Sequence, residues 1–412
     1  MSWIRGCAAM AALGLLAACG GGGAASQPQS GTPIKVGFIG TTTGVFAPQG
    51  ADMMDGWKLG LKDAGETVAG RKISTIYVDD AGDPNQGLSD ARQLVENQGA
   101  DILMGPLAAN VALAVRGYVA GAGVPLLSAA ACPDELATSQ KASNIILTGW
   151  TCDQPTLNFG KYVYEKLGYR HVTTVAMDYA FGWQVTGGFA ATFKAAGGQI
   201  DKQIWSPITA ADYSPFVAQI PSGTQAVFAL MAGTAAVRFT DAYQAFGLKG
   251  KIPLVGGGTL TDYSVLRSEK PETVQDVITV LQYADGLDTP ENRRFVDEYR
   301  AATKKYPSYY ADSAYSTAVL LVEALKAVNG NTKDRAGLLK ALKSTTFKAA
   351  RGPVSISKDT NSPVQNIYIR KVSVVNGDLR NVVIDTIKQS QPWGPLSKGD
   401  WEAMVPRYGR TG

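Results

Sequence analysis

Lys35-Val-Gly-Phe-Ile-Gly40 and Ile73-Ser-Thr-Ile-Tyr-Val78 are two short apolar runs, and the stretch between them has helical spacing. Residues 50–64 bring Met54, Trp57, Leu61 and Ala64 to one helical face, which predicts strand, helix, strand. Asp83-Pro84 then predicts a helix start, with Asp as the cap and Pro in the first turn; Leu88, Ala91 and Val95 continue it. Two more units follow at Asp101-Ile-Leu-Met104 and Val124-Pro-Leu-Leu-Ser128. The rhythm returns further on. Val172-Thr-Thr-Val-Ala-Met177, Gln225-Ala-Val-Phe-Ala-Leu230 and Ile252-Pro-Leu-Val255 read as strands. Between them lie a helix over 183–196 and another carrying Phe239, Ala242, Tyr243 and Phe246. Short strands alternating with helices predict parallel sheets covered on both faces. Residues 282–350 read as mostly helical, with Ala318, Leu321, Val322 and Leu325 as an apolar stripe. A strand-rich end follows, with Asn366-Ile-Tyr-Ile-Arg370 and Val382-Val-Ile384. Roughly 380 residues beyond Pro33 are too many for one core, so two α/β lobes with a hinged cleft are expected.

The N-terminus has a different composition. Arg5 is the only charge in residues 1–18, and residues 8–18 are Ala, Leu, Met and Gly. That pattern reads as a secretory signal, since so short an apolar run cannot cross a bilayer, which needs about 20 residues. Leu16-Ala17-Ala18-Cys19 resembles a bacterial lipobox. The resemblance implies removal of residues 1–18 and a lipid on Cys19; the alternative is an ordinary signal in which Cys19 is incidental. Residues 19–33, from Cys19 to Pro33, hold no charge and no large apolar side chain, so they read as a flexible tether.

Hydrophobic residues make up 45% and charged residues 18%, as in ordinary globular proteins, and the formal net charge is +4. Opposite charges are interspersed without a basic stripe, so no nucleic-acid partner is expected. Cys132 and Cys152 remain for an exported domain. A disulfide between them is expected, with two buried free thiols as the alternative. A loop of this size would gain about 3 kcal/mol in the chain-entropy picture.

Enzyme signatures are missing. His171 is the single histidine, so a His-x-x-x-His metal pair is excluded. No Gly-x-Ser-x-Gly elbow or phosphate-binding glycine loop occurs. Asp79-Asp80 reads as a strand end leading to a helix cap. No enzyme activity, metal or cofactor is expected.

Several landmarks then fall in one order. Thr43-Gly44 follows the first strand, and Val78-Asp-Asp80 leads to Asp83-Pro84. Gly105-Pro106-Leu107, Pro125-Leu-Leu-Ser128, Tyr179-Ala-Phe-Gly182, Lys251-Ile-Pro-Leu254 and Gly352-Pro353 come next. Residues 34 to about 388 thereby resemble the solute-binding proteins of branched-chain amino-acid-type ABC transporters, the leucine-binding type. The resemblance implies the type I periplasmic binding fold, two doubly wound α/β lobes joined by three crossings. Lobe 1 would comprise 34–152 with 284–352, and lobe 2 would comprise 153–283 with 353–388, leaving 389–412 as a tail. It implies a small carboxylate ligand held between the lobes, an ABC permease as partner, a membrane contact through the lipid, and a monomer. A receptor domain serving a signalling partner is the alternative use of such a fold.

In the family, two first-lobe loops hold the ligand carboxylate; here they are 106–110 and 129–134. The matching residues are Ala108, Ala109, Ala130 and Cys132, where strand ends lead toward helix N-termini. Amino-acid binders of the family carry hydroxyl residues at the positions of Ala109 and Cys132, and a tyrosine where this chain has Phe181. Gly258 stands where an acid pairs with the ligand ammonium; Asp262 lies nearby as a substitute. Gly149-Trp150, Asp153-Gln154 and Val364-Gln365-Asn366-Ile-Tyr368 resemble a subgroup linked to aromatic acids. Trp150 at the first crossing and Phe46 in the first loop are candidates to face the ligand, with hinge core and loop anchoring as the alternatives. Tyr310 and Tyr315 read as core residues of an amphipathic helix.

Overall fold

The computed structural model describes residues 31–408; Cys19, the signal region and most of the tether fall outside them. Six strands form the first sheet: β1 (Ile34–Gly40), β2 (Thr67–Val68), β3 (Arg71–Asp79), β4 (Ile102–Met104), β5 (Leu126–Ser128) and β6 (Ile145–Leu147). Their spatial order is β2-β3-β1-β4-β5-β6, and all neighbours are parallel except the short β2. Phe38, Ile102, Met104, Leu127 and Ile146 are fully buried, as strands covered on both faces require.

The second sheet contains β7 (His171–Met177), β8 (Gln199–Ser206), β9 (Ala226–Leu230), β10 (Leu254–Gly257) and β11 (Ile278–Leu281), all parallel. It continues through antiparallel β12 (Phe347–Ala349), β13 (Gly352–Ile356), β14 (Pro363–Val375) and β15 (Asp378–Ser390). The order is β12-β13-β14-β11-β10-β9-β7-β8, with β15 on the far side of β14.

Local rules account for the helix ends. The Asp83 carboxylate accepts the N–H groups of Asn85 and Gln86, and Pro84 follows in the first turn, as expected. The first long helix runs Ala47–Ala64, starting earlier than predicted because Pro48 suits a first turn. Its buried face also differs: Met53, Gly56, Trp57 and Gly60 are covered, while Met54 and Ala64 are half-buried. Packing explains the change. A Cβ at Gly56 would come within 2.1 Å of the Ala311 carbonyl, and one at Gly60 within 2.6 Å of the Tyr315 carbonyl. Small residues thus seat the helix Tyr309–Ala327 against Ala47–Ala64, so the chain returns to the first lobe after building most of the second sheet. The helix Thr234–Ala245 ends before Phe246, which is exposed rather than part of the apolar face.

Candidate functional site

At the carboxyl ends of β1, β4 and β5 the chain turns into Phe46, into Leu107-Ala108-Ala109 and into Ala130-Ala131-Cys132. Across from them stand Tyr179 and Phe181, after β7, and Tyr309 and Tyr310, at the start of their helix. These residues enclose a narrow cavity of about 20 Å³, room for little more than one water. Larger hollows exist, such as one of about 650 Å³ beside Lys249–Val255, but that one opens at the amino ends of β10 and β11. Ligands of open α/β sheets bind at the carboxyl ends.

The polar character of the cavity is specific. The helix Ala109–Ala122 has Ala108 at its N-cap with no side-chain cap, and its first intrahelical bond reaches back only from the Ala112 N–H. Its leading N–H groups therefore face the cavity end with the positive end of the helix dipole. The N–H groups of Ala130 and Cys132 have no partner among the described residues, whereas the Ala131 N–H donates to the Pro106 carbonyl at 3.3 Å. The loop at 129–134 leads into a single 3-10 turn, Asp134–Leu136, so the second helix N-terminus expected there is absent.

Among the described residues, no charged side chain lines the cavity. Burial pushes the hydroxyl pKa values of Tyr179, Tyr309 and Tyr310 up, so all three remain neutral phenols. The rings crowd together. Tyr309 and Tyr310 have centroids 3.9 Å apart, and Tyr179 and Phe181 lie 5.9 Å apart. Aromatic surface plus uncapped backbone donors suits an anion with an apolar body.

The sequence pattern of the periplasmic binding protein family matches residues 33–378. The chain belongs to the periplasmic binding protein family. Its type is the solute-binding protein of branched-chain amino-acid-type ABC transporters, whose role is binding rather than catalysis and whose place is outside the cytoplasmic membrane. It is 32% identical over 367 residues to a Leu/Ile/Val-binding protein homologue of Brucella melitensis, covering 87% of this chain and 93% of that one. A solute-binding protein of Rhodopseudomonas palustris in complex with 3,4-dihydroxybenzoic acid is similar at 30% identity and a TM-score of 0.83, over 87% of this chain and 98% of that one. Another from R. palustris, in complex with benzoate, is 30% identical with a TM-score of 0.81, over 88% and 100%. The two R. palustris proteins are solute-binding proteins of ABC transporters, and none of the three supports the signalling alternative.

In this binding protein, six of the nine expected ligand residues gather at the cavity: Phe46, Ala108, Ala109, Ala130, Cys132 and Phe181. Three do not. Trp150 lies behind the wall: its ring stands edge-on to Phe181 and Tyr309 at 5.7 and 5.4 Å, and its indole N–H donates to the Ala130 carbonyl at 3.0 Å. Gly258 is covered by Leu281, and its carbonyl accepts from Arg370 at 2.7 Å. Asp262 accepts the Tyr309 N–H at 3.0 and 3.2 Å, at the N-terminus of that helix. Burial raises its pKa to about 7, against the pull of this bond. Its carboxylate is engaged at the helix end and does not line the cavity. Tyr310 is buried in the core, as expected, and also lines the cavity. Leu107, Ala131, Tyr179 and Tyr309 line it too, beyond the ligand residues that the sequence predicts. For Tyr179 and Tyr309 a signal existed, since each directly precedes or opens a helix after a non-helical residue.

Cys132 and Cys152 are joined by a disulfide, so the cleft loop is tied to the first crossing. Next to it lies a fully buried hydrogen-bonded hinge that sequence reading did not assemble. Arg351 donates to Asp312 at 2.6 Å, to the Thr148 carbonyl at 2.9 Å and to Gln365 at 2.9 Å. Gln365 in turn donates to the Gly149 carbonyl and to Gln154. The Asp153-Gln154 and Gln365 landmarks thus belong to the joint between the crossings.

The start of the first long helix and the turn before it touch the opposite lobe at three places. Arg267 donates to Asp52 at 3.1 and 3.2 Å, and Gln49 donates to Ser264 at 3.3 Å. Gly233, with φ +61°, lies so near the Val45 carbonyl that a Cβ would sit 2.6 Å from it. These contacts define a closed arrangement of the two lobes.

Proposed function

We propose that this solute-binding protein captures an aromatic carboxylate, of the benzoate or hydroxybenzoate kind, and delivers it to the transmembrane subunits of an ABC importer. The observation that carries the reading is the cavity wall, which has uncapped backbone donors at one end, aromatic rings around it and, among the described residues, no charged side chain. A ligand ammonium enclosed there would lack a counter-charge, at a cost of several kcal/mol. A carboxylate would meet the N–H groups of Ala109, Ala130 and Cys132, and a ring would lie among Phe46, Tyr179, Phe181 and Tyr310. The named ligands of the two R. palustris proteins agree with this chemistry. The Brucella relative's name favours an aliphatic amino acid as the second reading. The lobes must part to admit either ligand, since the cavity is smaller than both.

The protein acts as a monomer held to a membrane by lipid on Cys19, with residues 19–33 as the tether. Lobe 1 comprises 34–152 with 284–346 and lobe 2 comprises 153–283 with 347–390, a shift from the expected boundary at 352 because β12 and β13 join the second sheet. Calorimetric titration with benzoate, 4-hydroxybenzoate, valine and leucine tests the ligand class. Micromolar or tighter binding of an aromatic acid, with weak or no leucine binding, is expected. The reverse order would replace the aromatic reading by the aliphatic one.

A further inference from the structure

Asp134 and Asp153 lie on either side of the disulfide, and both are fully buried. Asp134 comes two residues after Cys132 of the cleft wall, and Asp153 directly precedes the helix Gln154–Glu165. The Cys152 N–H donates to the Cys132 carbonyl at 2.8 Å, and the Asp153 N–H donates to Asp134 Oδ1 at 3.3 Å. The C-terminal segment covers the pair. Trp401 Nε1 and the Tyr408 hydroxyl both donate to Asp153 Oδ2, at 2.6 and 2.8 Å. Trp401 is fully buried, and the Tyr408 ring lies against Gly187, where a Cβ would come within 2.2 Å of it.

One oxygen on each acid, Asp134 Oδ2 and Asp153 Oδ1, is left without a donor, and the two side chains are within hydrogen-bond reach of each other. Two buried carboxylates so placed repel, whereas one proton between them makes an O–H···O bond from the two orphaned oxygens. Asp153 already accepts two bonds, so Asp134 is the better carrier. Burial pushes both acids up, and their mutual repulsion pushes Asp134 further. The titratable groups facing the pair are Glu135 on the same turn and Tyr408 from the C-terminal segment, both acids. The helix Ala180–Ala195 contributes the neutral Gln184, which accepts the Asp134 N–H at 3.0 Å and donates to Glu135. The helix Gln154–Glu165 contributes Thr156, which bonds the Asp153 carbonyl.

We propose that Asp134 and Asp153 share a single proton and act as a positioning pair for the cleft loop Ala129–Cys132, so that losing the proton loosens the loop and its C-terminal cover together. The link to ligand capture rests on the binding role proposed above. The shared proton does not, and it is tested without ligand.

A carboxyl that holds its proton more tightly when folded contributes stability below about pH 4, and that stability is lost as pH rises through the folded pKa. Asp262 and Glu269 have the same sign, so the comparison of variants isolates the pair. The unfolding midpoint of ligand-free protein is followed between about pH 5 and 9 for wild type, Asp134→Asn and Tyr408→Phe. Asp134→Asn donates an N–H to Asp153 and does not titrate, so its midpoint should fall less steeply with pH than that of wild type. Tyr408→Phe removes one donor from Asp153 and should move the pH midpoint of the loss upward. The positioning role is read separately, as the rate at which a phosphine reductant opens the Cys132–Cys152 disulfide at mildly alkaline pH. Wild type should react several-fold faster than Asp134→Asn. Parallel stability profiles, or equal reduction rates, would overturn the proposal. Should Asp134→Asn not fold, an unmoved midpoint in Tyr408→Phe overturns it alone.

Discussion

Arg267→Ala should weaken ligand binding although Arg267 does not line the cavity. Arg267 stands on the second-sheet side of the cleft and Asp52 on the first-sheet side, so opening the cleft would break their two hydrogen bonds. Asp52 is fully buried, and Arg267 is about one-fifth exposed. Hydrogen bonds to charged groups contribute about 1.5–3 kcal/mol, and breaking a wholly buried pair costs about 3–5 kcal/mol. The partial exposure of Arg267, with Lys305 4.0 Å from Asp52, argues for the low end, about 2 kcal/mol. On the proposed binding mode the ligand is held across the closed cleft, so this loss of closed population appears directly in the affinity. At about 1.4 kcal/mol per decade, the dissociation constant should rise roughly 30-fold. Asp52 is held above the usual carboxylate range by burial, so protonating the uncompensated acid should recover part of the loss at lower pH. Calorimetry at two pH values, with Asp52→Asn and the double variant completing a cycle, measures the coupling. An affinity unchanged within twofold would refute the clamp, and a purely additive cycle would refute the pairing.

The hinge ion pair should behave differently. Arg351→Met leaves Asp312 buried without its partner and should destabilise the whole protein by about 3–5 kcal/mol, read by denaturant unfolding. A loss below about 1 kcal/mol would contradict the buried pairing. Alkylation of native protein followed by mass analysis should find Cys132 and Cys152 protected until reduction; two free thiols would contradict the bond. Cys19→Ser should move the protein from the membrane fraction to the soluble fraction, and continued sedimentation with membranes would remove the lipid anchor.

The alternation of short apolar runs with amphipathic stretches determined the α/β class, because strand and helix periods are local properties of the chain. Lys35–Gly40 and Val172–Met177 are short runs of apolar and β-branched residues bounded by turn residues or polar ends, which is the local pattern of strands covered on both faces. Asp83-Pro84 was legible for the same reason: a cap needs only its own turn. The family resemblance pointed to the loops after β4 and β5, with Phe181 and the alanines, and Phe46 was a candidate of the first loop; the structure brings these residues to one cavity. Asp262 could not be placed from the sequence. Only the return of Tyr309 from a distant segment decides that its carboxylate is occupied, and only the packing of Trp150 against Phe181 and Tyr309 puts that indole one ring behind the wall. Tyr310 shows the same limit, since a buried stripe looks alike whether it faces a core or a cleft. Arg351 with Asp312, and Asp134 with Asp153, are charges that local pattern would place in water. They are buried because three chain crossings and the C-terminal segment converge there, and a convergence of segments far apart in sequence exists only in the tertiary structure.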